Sequence, residues 1–117
     1  MTSTPLLSLL EKFLDVTSAR HALVVENMAN VDTPAYHTRD IDFRAELRRA
    51  VGDPTGTLAP AGYSVPGLLE RPDGNNVSLD REGLALAETQ IQYRIGVSLL
   101  QNEFHQILSA INEGNKG

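Results

Sequence analysis

Cysteine and tryptophan are both absent from this sequence, and basic residues are few. Without cysteine the chain forms no disulfide and offers no thiolate to a metal ion, which suits either a reducing or an extracytoplasmic compartment. Acidic residues outnumber basic ones 15 to 10, giving a formal net charge of -5. Because binding to phosphates requires a basic surface, the composition argues against a nucleic-acid partner.

Long apolar runs are also missing. No window approaches the roughly 20 apolar residues that a membrane-spanning helix needs. Near the N-terminus the apolar stretch has no basic segment before it, is interrupted by Ser8, and is closed by Glu11 and Lys12. We therefore expect no cleavable secretory signal and no membrane span.

The chain has 117 residues, of which 41% are hydrophobic and 21% charged. This length and composition fit one domain. A chain of this length buries only a small core, so part of its apolar surface is expected to need a partner. We predict an all-α, elongated fold in which long N- and C-terminal helices form a coiled-coil-like hairpin. The segments are 1–33 (helix and turn), 34–51 (turn and short helix), 52–75 (flexible loop) and 76–113 (helix).

The N-terminal helix is predicted over residues 4–30, with Thr4 as its N-cap and Pro5 at its first position. Its apolar residues recur mostly at spacings of three and four, and they are Leu6, Leu9, Leu10, Phe13, Leu14, Val16, Leu23, Val24 and Met28. After it, a short helix is plausible over 40–51, with Asp40 and Asp42 at its start. Residues 52–75 hold five of the nine glycines and four of the six prolines, which is typical of a loop.

The C-terminal helix is predicted over residues 79–112, with Ser78 as its cap. A coiled-coil-like seam steps by four, three, four and three, through Tyr93, Val97, Leu100, Phe104 and Ile107. A second apolar stripe contains Leu84, Ala87, Ile91, Ile95 and Leu99. Gly96 inside the helix favours a close approach of another helix or a curved axis. Both an intramolecular core and packing between molecules fit these stripes.

One motif is more specific than any other part of the chain. Asn27, Asn30, Thr33, Pro34 and Tyr36 form the pattern Asn-x-x-Asn-x-x-Thr-Pro-x-Tyr. Pro34 disfavours a helical conformation at Thr33, so the helix is expected to end just before it. An asparagine at a helix end hydrogen-bonds exposed backbone groups, and this local capping role is the simplest interpretation of Asn27 and Asn30.

The same pattern resembles the N-terminal signature of bacterial flagellar rod and hook axial proteins. Its continuation at residues 39–43 is most similar to the proximal rod members of that family, and residues 74–82 resemble a second family element. Ala35 departs from the family, which usually has glycine there. If the position requires a positive φ angle, the Cβ of Ala35 costs about 1 kcal/mol.

The resemblance implies a structural subunit of the flagellar basal-body proximal rod. The expected partners are other rod subunits, the adaptor that joins the rod to the membrane ring, and the type III export apparatus. The location implied is the periplasmic rod, reached without a cleaved signal peptide. The five motif residues would then form the signature turn, and the seam on the C-terminal helix would mediate assembly.

No residue pattern predicts an enzyme. The three histidines, His21, His37 and His105, lie in different segments without metal-ligand spacing, so we predict no metal site and no cofactor. Asp32, Asp40 and Asp42 are interpreted as capping residues around a turn. The alternative function is a cytoplasmic helical adaptor or regulator that binds a partner helix through the same stripes, although such a protein has no need for the motif at residues 27–43.

Overall fold

The computed structural model of the chain describes residues 5–53, 56 and 59–114. Within these residues the elements are the helices α1 (Pro5–Ala29), α2 (Phe43–Val51) and α3 (Leu79–Gly114) and the strands β1 (Arg39–Asp40) and β2 (Tyr63–Ser64). The two short strands pair antiparallel, with Arg39 opposite Ser64. The molecule measures 72 × 26 × 18 Å. The prediction of an elongated all-α fold is confirmed.

The ends of the long helices follow the capping residues of the sequence. Pro5 is the first residue of α1, while the predicted cap Thr4 lies outside the described residues. The Oγ of Ser78 accepts a hydrogen bond from the backbone N–H of Arg81 at 3.2 Å, so Ser78 caps α3 as predicted. At 1.5 Å per residue, α1 is about 37 Å long and α3 about 54 Å.

Helices α1 and α3 pack side by side in opposite directions. The Nδ1 of His21 lies 3.2 Å from the Oγ1 of Thr89, whereas Leu14, earlier in α1, faces Gly96, later in α3. A Cβ on Gly96 would lie 2.7 Å from the Cδ2 of Leu14. The glycine therefore allows the close approach of the two helices that the sequence indicated.

The face of α3 that contacts α1 is made of small and polar residues. Its buried members are Glu82, Ala85, Thr89 and Gly96. None of the five seam residues is buried: Tyr93 and Phe104 are 50% and 51% exposed, and the other three are intermediate. Small side chains form the closest contact between the two helices, and the apolar stripes are only partly buried or exposed in the single chain. Packing of the stripes between molecules remains a prediction.

Helix α2 packs on the N-terminal half of α1 through aromatic rings. The rings of Phe13 and Phe43 meet edge to face with centroids 5.2 Å apart, an arrangement that aromatic pairs favour. The backbone N–H of Ala45 donates to Asp42 at 3.2 Å, which makes Asp42 the N-cap. Because α2 begins at Phe43, the prediction that Asp40 starts this helix is wrong.

Candidate functional site

The two sequence motifs, which are separated by about 40 residues, come together at one end of the helix pair. We call this unit the joint, and it consists of residues 27–42 together with residues 71–82. The asparagines of both motifs connect it, and two of them, Asn27 and Asn75, are fully buried. Buried polar side chains are stable only when they are hydrogen-bonded, so their partners define the geometry of the joint.

Asn27 holds the chain that returns towards β1. Its Nδ2 donates to the carbonyl of Arg39 at 2.7 Å, and its Oδ1 accepts from the backbone N–H of Arg39 at 3.1 Å. The same Oδ1 accepts from the hydroxyl of Tyr36 at 2.9 Å. The side-chain amide thus pairs with the backbone as a neighbouring strand does. The interpretation of Asn27 as a local cap is wrong, because this residue lies inside α1 and faces the strand.

The hydroxyl of Tyr36 can donate its hydrogen bond to Asn27 because it keeps its proton. Partial burial raises the pKa of Tyr36, and the negative charge of Glu26 raises it further, while the positive charge of Arg39 opposes this shift. A protonated hydroxyl can donate, whereas a phenolate cannot.

Asn30 has the local role that the sequence suggested. Its Nδ2 donates to the carbonyl of Glu26 at 2.8 Å, and its Oδ1 accepts from the hydroxyl of Thr33 at 2.9 Å. The backbone N–H of Thr33 also donates to the carbonyl of Asn30 at 3.0 Å. These bonds close the turn directly after α1, and Pro34 follows it on the exposed surface.

Ala35 adopts a left-handed backbone conformation with φ of 62°, the one non-glycine residue with positive φ among the described residues. Its backbone N–H donates to the carbonyl of Asp73 at 2.9 Å, and Gly74 lies beside it. A Cβ on Gly74 would come within 3.2 Å of the Cα of Ala35. The strain foreseen for alanine at this position is therefore present.

The second motif fastens the turn from the other side. Asn75 donates from Nδ2 to the carbonyls of Asn30 and Thr33, at 2.9 and 2.8 Å, and its Oδ1 accepts from the backbone N–H of Val77 at 2.8 Å. The backbone N–H of Thr38 donates to the Oδ1 of Asn76 at 2.7 Å. Asn75 thus holds the turn that follows α1 by donating to two of its backbone carbonyls.

An ion-pair network links the joint to both long helices, with Asp40 at its centre. The carboxylate of Asp40 accepts from Arg20 of α1 at 3.0 Å, from Arg81 of α3 at 2.6 Å and from the backbone N–H of Ile41 at 2.7 Å. Burial alone would raise the pKa of Asp40, but the hydrogen bonds from Arg20, Ile41 and Arg81 outweigh burial and lower it. The carboxylate is therefore held in its charged form.

The network extends along α3 in both directions from Asp40. Arg20 also donates to Glu88 at 2.9 Å, and Arg81 also donates to Oε1 of Glu82 at 2.9 Å. Glu82 is fully buried, and its Oε2 has no hydrogen-bond partner among the described residues. Sequence reasoning missed this network, since residues 20, 40 and 81 are distant in the chain. One signal was available in the sequence. Asp42 alone caps the short helix, so Asp40, two positions earlier, is not needed as a cap and can pair with another group.

The three histidines do not converge. His21 contacts Thr89, His37 lies 3.4 Å from Glu70, and His105 is on the exposed surface of α3. Among the described residues no group of three or more histidine, aspartate or glutamate side chains could hold a metal ion.

No helix in the described part of the chain is long and apolar enough to cross a membrane.

The geometry is that of an elongated helical protein suited to packing against other chains. Apolar side chains are exposed along α3, and the joint holds α1 and α3 together at one end. Comparison with known proteins identifies the family. The chain is 30% identical to the flagellar basal-body rod protein FlgB of Escherichia coli strain K12 over 126 residues, covering 90% of this chain and 91% of that protein. It is 33% identical to FlgB of Cereibacter sphaeroides over 111 residues, covering 84% and 87%.

A more distant FlgB, from Yersinia enterocolitica, is 26% identical over 125 residues, covering 89% of this chain and 91% of that protein. No family model matches the chain. The chain belongs to the FlgB family of flagellar basal-body rod proteins. The resemblance that the Asn-x-x-Asn-x-x-Thr-Pro-x-Tyr motif suggested is thereby confirmed.

Proposed function

We propose that this chain is a structural subunit of the proximal rod of the bacterial flagellar basal body. Its terminal helices assemble into the tubular drive shaft that joins the membrane ring to the distal rod. The observation that carries this proposal is the apolar surface that α3 leaves uncovered. Tyr93 and Phe104 are each about half exposed in the single chain, and packing of such side chains against another helix gains about 25 cal/mol for each Å² removed from water.

The assembly surface is the seam of Tyr93, Val97, Leu100, Phe104 and Ile107. Its members are half-buried or exposed in the single chain, so they keep apolar surface for a neighbouring subunit while α1 stays in place. A row of apolar residues at alternating spacings of three and four is the pattern by which helices pack along their length.

The joint sets the angle at which the chain leaves α1. The signature turn, formed by Asn27, Asn30, Thr33, Pro34 and Tyr36, is cross-braced by the 71–82 segment. Because its hydrogen bonds are internal and several are buried, neighbouring subunits need not supply them. A rod built from repeated subunits requires such a fixed angle, since small differences in angle accumulate along a helical assembly.

By the same family relationship, we place the protein in the periplasmic rod, exported by the flagellar type III apparatus without a cleaved signal peptide. Its partners are other rod subunits and the adaptor that links the rod to the membrane ring, and nucleic acid is not among them. The relatives named above are rod proteins. They favour this role over that of a cytoplasmic adaptor, which would need the apolar stripes but not the joint.

Deletion of the gene tests the proposal, with swimming assays and electron microscopy of purified basal bodies. We expect non-motile cells that have membrane rings without a rod, and we expect the wild-type gene to restore both rods and swimming. Normal swimming with intact rods, in a strain without a second related gene, would contradict the proposal and favour the adaptor.

Phe104→Glu tests the seam in the same strain. Because Phe104 is 51% exposed in the single chain, the monomer tolerates the charge, whereas an unpaired carboxylate in a packed seam costs several kcal/mol. We expect loss of rods and swimming at normal protein levels. His105→Glu places the same charge at the next position, on the exposed side of α3, and should swim normally. Full motility of Phe104→Glu would refute the seam assignment.

A further inference from the structure

Helix α3 carries a second uncovered apolar surface, which is separate from the seam. The aliphatic stripe consists of Leu84, Ile91, Ile95 and Leu99, which are 64%, 56%, 51% and 49% exposed. It spans 16 residues, or about 22 Å along the helix axis. Glu88 lies on the same side between Leu84 and Ile91 and is paired with Arg20. An exposed aliphatic row of this length is typical of a contact with another protein chain.

The stripe surrounds a shallow surface pocket of about 330 Å³. Its walls are Ile91, Ile95 and Leu99, and Arg94 and Ser98 complete its rim. Arg94 is exposed and forms no ion pair within the described part of the chain. A matching surface must therefore offer a compact apolar side chain for the pocket and a carboxylate beside it for Arg94.

Helix α1 presents such a surface on its solvent side. We call it the outer face, and it consists of the exposed residues Asp15, Ser18, Ala22, Val25, Glu26 and Ala29. It spans 15 residues, close to the length of the aliphatic stripe. Its side chains are small or acidic, with one larger aliphatic residue, Val25, which is 48% exposed and is followed at once by Glu26.

We infer that the aliphatic stripe of one copy of this chain docks on the outer face of α1 of the next copy. Val25 enters the pocket between Ile91 and Ile95, and the carboxylate of Glu26 pairs with Arg94. The two surfaces agree in length, and the large side chains of the stripe face the mostly small ones of the outer face. Glu26 offers the charge opposite to that of Arg94, while Glu88 on the stripe's side of α3 is already paired with Arg20. The inference deepens the proposed function and rests on it, since it names the partner of the terminal helices and the faces that meet.

The two surfaces lie on different sides of one molecule. Ser18 of the outer face and Tyr93 line a groove of about 730 Å³ between α1 and α3. Ile95 follows Tyr93 by two residues, or about 200° around the helix, so Ile95 faces away from the groove. Arg94 and Ser98 lie between the two sides of α3 and line both the groove and the smaller pocket. One copy can therefore contact two neighbours, one through each surface. Such head-to-tail contacts close into rings or continue as helical assemblies, whereas a two-fold dimer would end there.

The absence of native cysteine allows a direct test with the double variant Val25→Cys and Ile95→Cys. The antiparallel packing places Val25 and Ile95 of the same chain about 10 residues apart along the helix axis. At 1.5 Å per residue that is about 15 Å, beyond the roughly 7 Å between Cα atoms that a disulfide can bridge. Any disulfide therefore joins two copies.

The double variant replaces the native gene, and purified basal bodies are oxidised and resolved without reductant. We expect a ladder of dimers and larger multimers. The matched control pairs Val25→Cys with Gln101→Cys, because Gln101 is exposed on the same helix but on the groove side and belongs neither to the seam nor to the stripe; it should give at least tenfold less multimer. Equal or stronger cross-linking of this control would overturn the inference.

A charge swap provides a second, independent readout in the cysteine background. Glu26→Arg or Arg94→Glu alone should reduce the multimers severalfold, and the two together should restore them. Rods that form without any cross-link between positions 25 and 95 would overturn this face pairing and leave the proposed function standing. If the wild-type gene itself restored no rods in the deletion strain, the proposed function would fail first, and the inference with it.

Discussion

Replacement of Ala35 by glycine should stabilise this protein, although glycine usually destabilises. With φ of 62°, the Cβ of Ala35 costs about 1 to 2 kcal/mol. Glycine removes this cost, but the unfolded chain gains conformational freedom that offsets about 0.4 to 1 kcal/mol. The methyl group is exposed, so little packing is lost. We expect the free energy of unfolding to rise by about 0.5 to 1 kcal/mol, or the melting temperature by about 2 to 6 °C.

Urea unfolding followed by circular dichroism measures this change, and Ala22→Gly is the matched control. Ala22 is also exposed but lies in the middle of α1, where glycine costs about 1 kcal/mol relative to alanine. The same chemical change should therefore shift the two unfolding midpoints in opposite directions. If Ala35→Gly destabilised the chain as much as Ala22→Gly does, the assignment of backbone strain to Ala35 would be refuted.

Two further substitutions test other parts of the fold. Gly96→Ala should destabilise by about 1 to 2 kcal/mol, because overpacking against Leu14 exceeds the gain in helix propensity; thermal unfolding measures this. Asp40→Asn should be less stable than the wild type at neutral pH. Since the folded pKa of Asp40 is lowered, its contribution is complete above the unfolded pKa of about 3.9 and disappears as the pH falls through the folded pKa. Urea titrations at several pH values measure the difference.

Each of these two predictions can be contradicted by a control measurement. A Cβ on Gly83 would meet no atom within 4 Å, so Gly83→Ala should stabilise α3 by up to about 1 kcal/mol. Equal effects at the two glycines would argue against a close helix contact at Gly96. For Asp40, a stability difference that stays constant from neutral pH to pH values below about 3 would show that the lost contacts are not those of a charged carboxylate.

Local chemistry was sufficient to predict the helices of this fold, but not its two short strands. The apolar spacings gave both long helices, and Pro5 and Ser78 marked their starts. These signals are local because a helix is stabilised by contacts between residues three or four apart and by its caps. The motif at residues 27–36 was visible for the same reason, as was the possibility of strain at Ala35.

Tertiary structure alone decided which faces meet. The sequence could not show that α3 contacts α1 through small residues, because the distance between two helices depends on the side chains of both. Nor could it show that Asn27 pairs with Arg39, or that Asp40 joins Arg20 to Arg81. These partners are distant in the chain, and only folding brings their charges and hydrogen-bonding groups within reach. The sequence determined which residues carry polar and apolar chemistry, and the packing of α1 against α3 determined which of them are left to bind a neighbour.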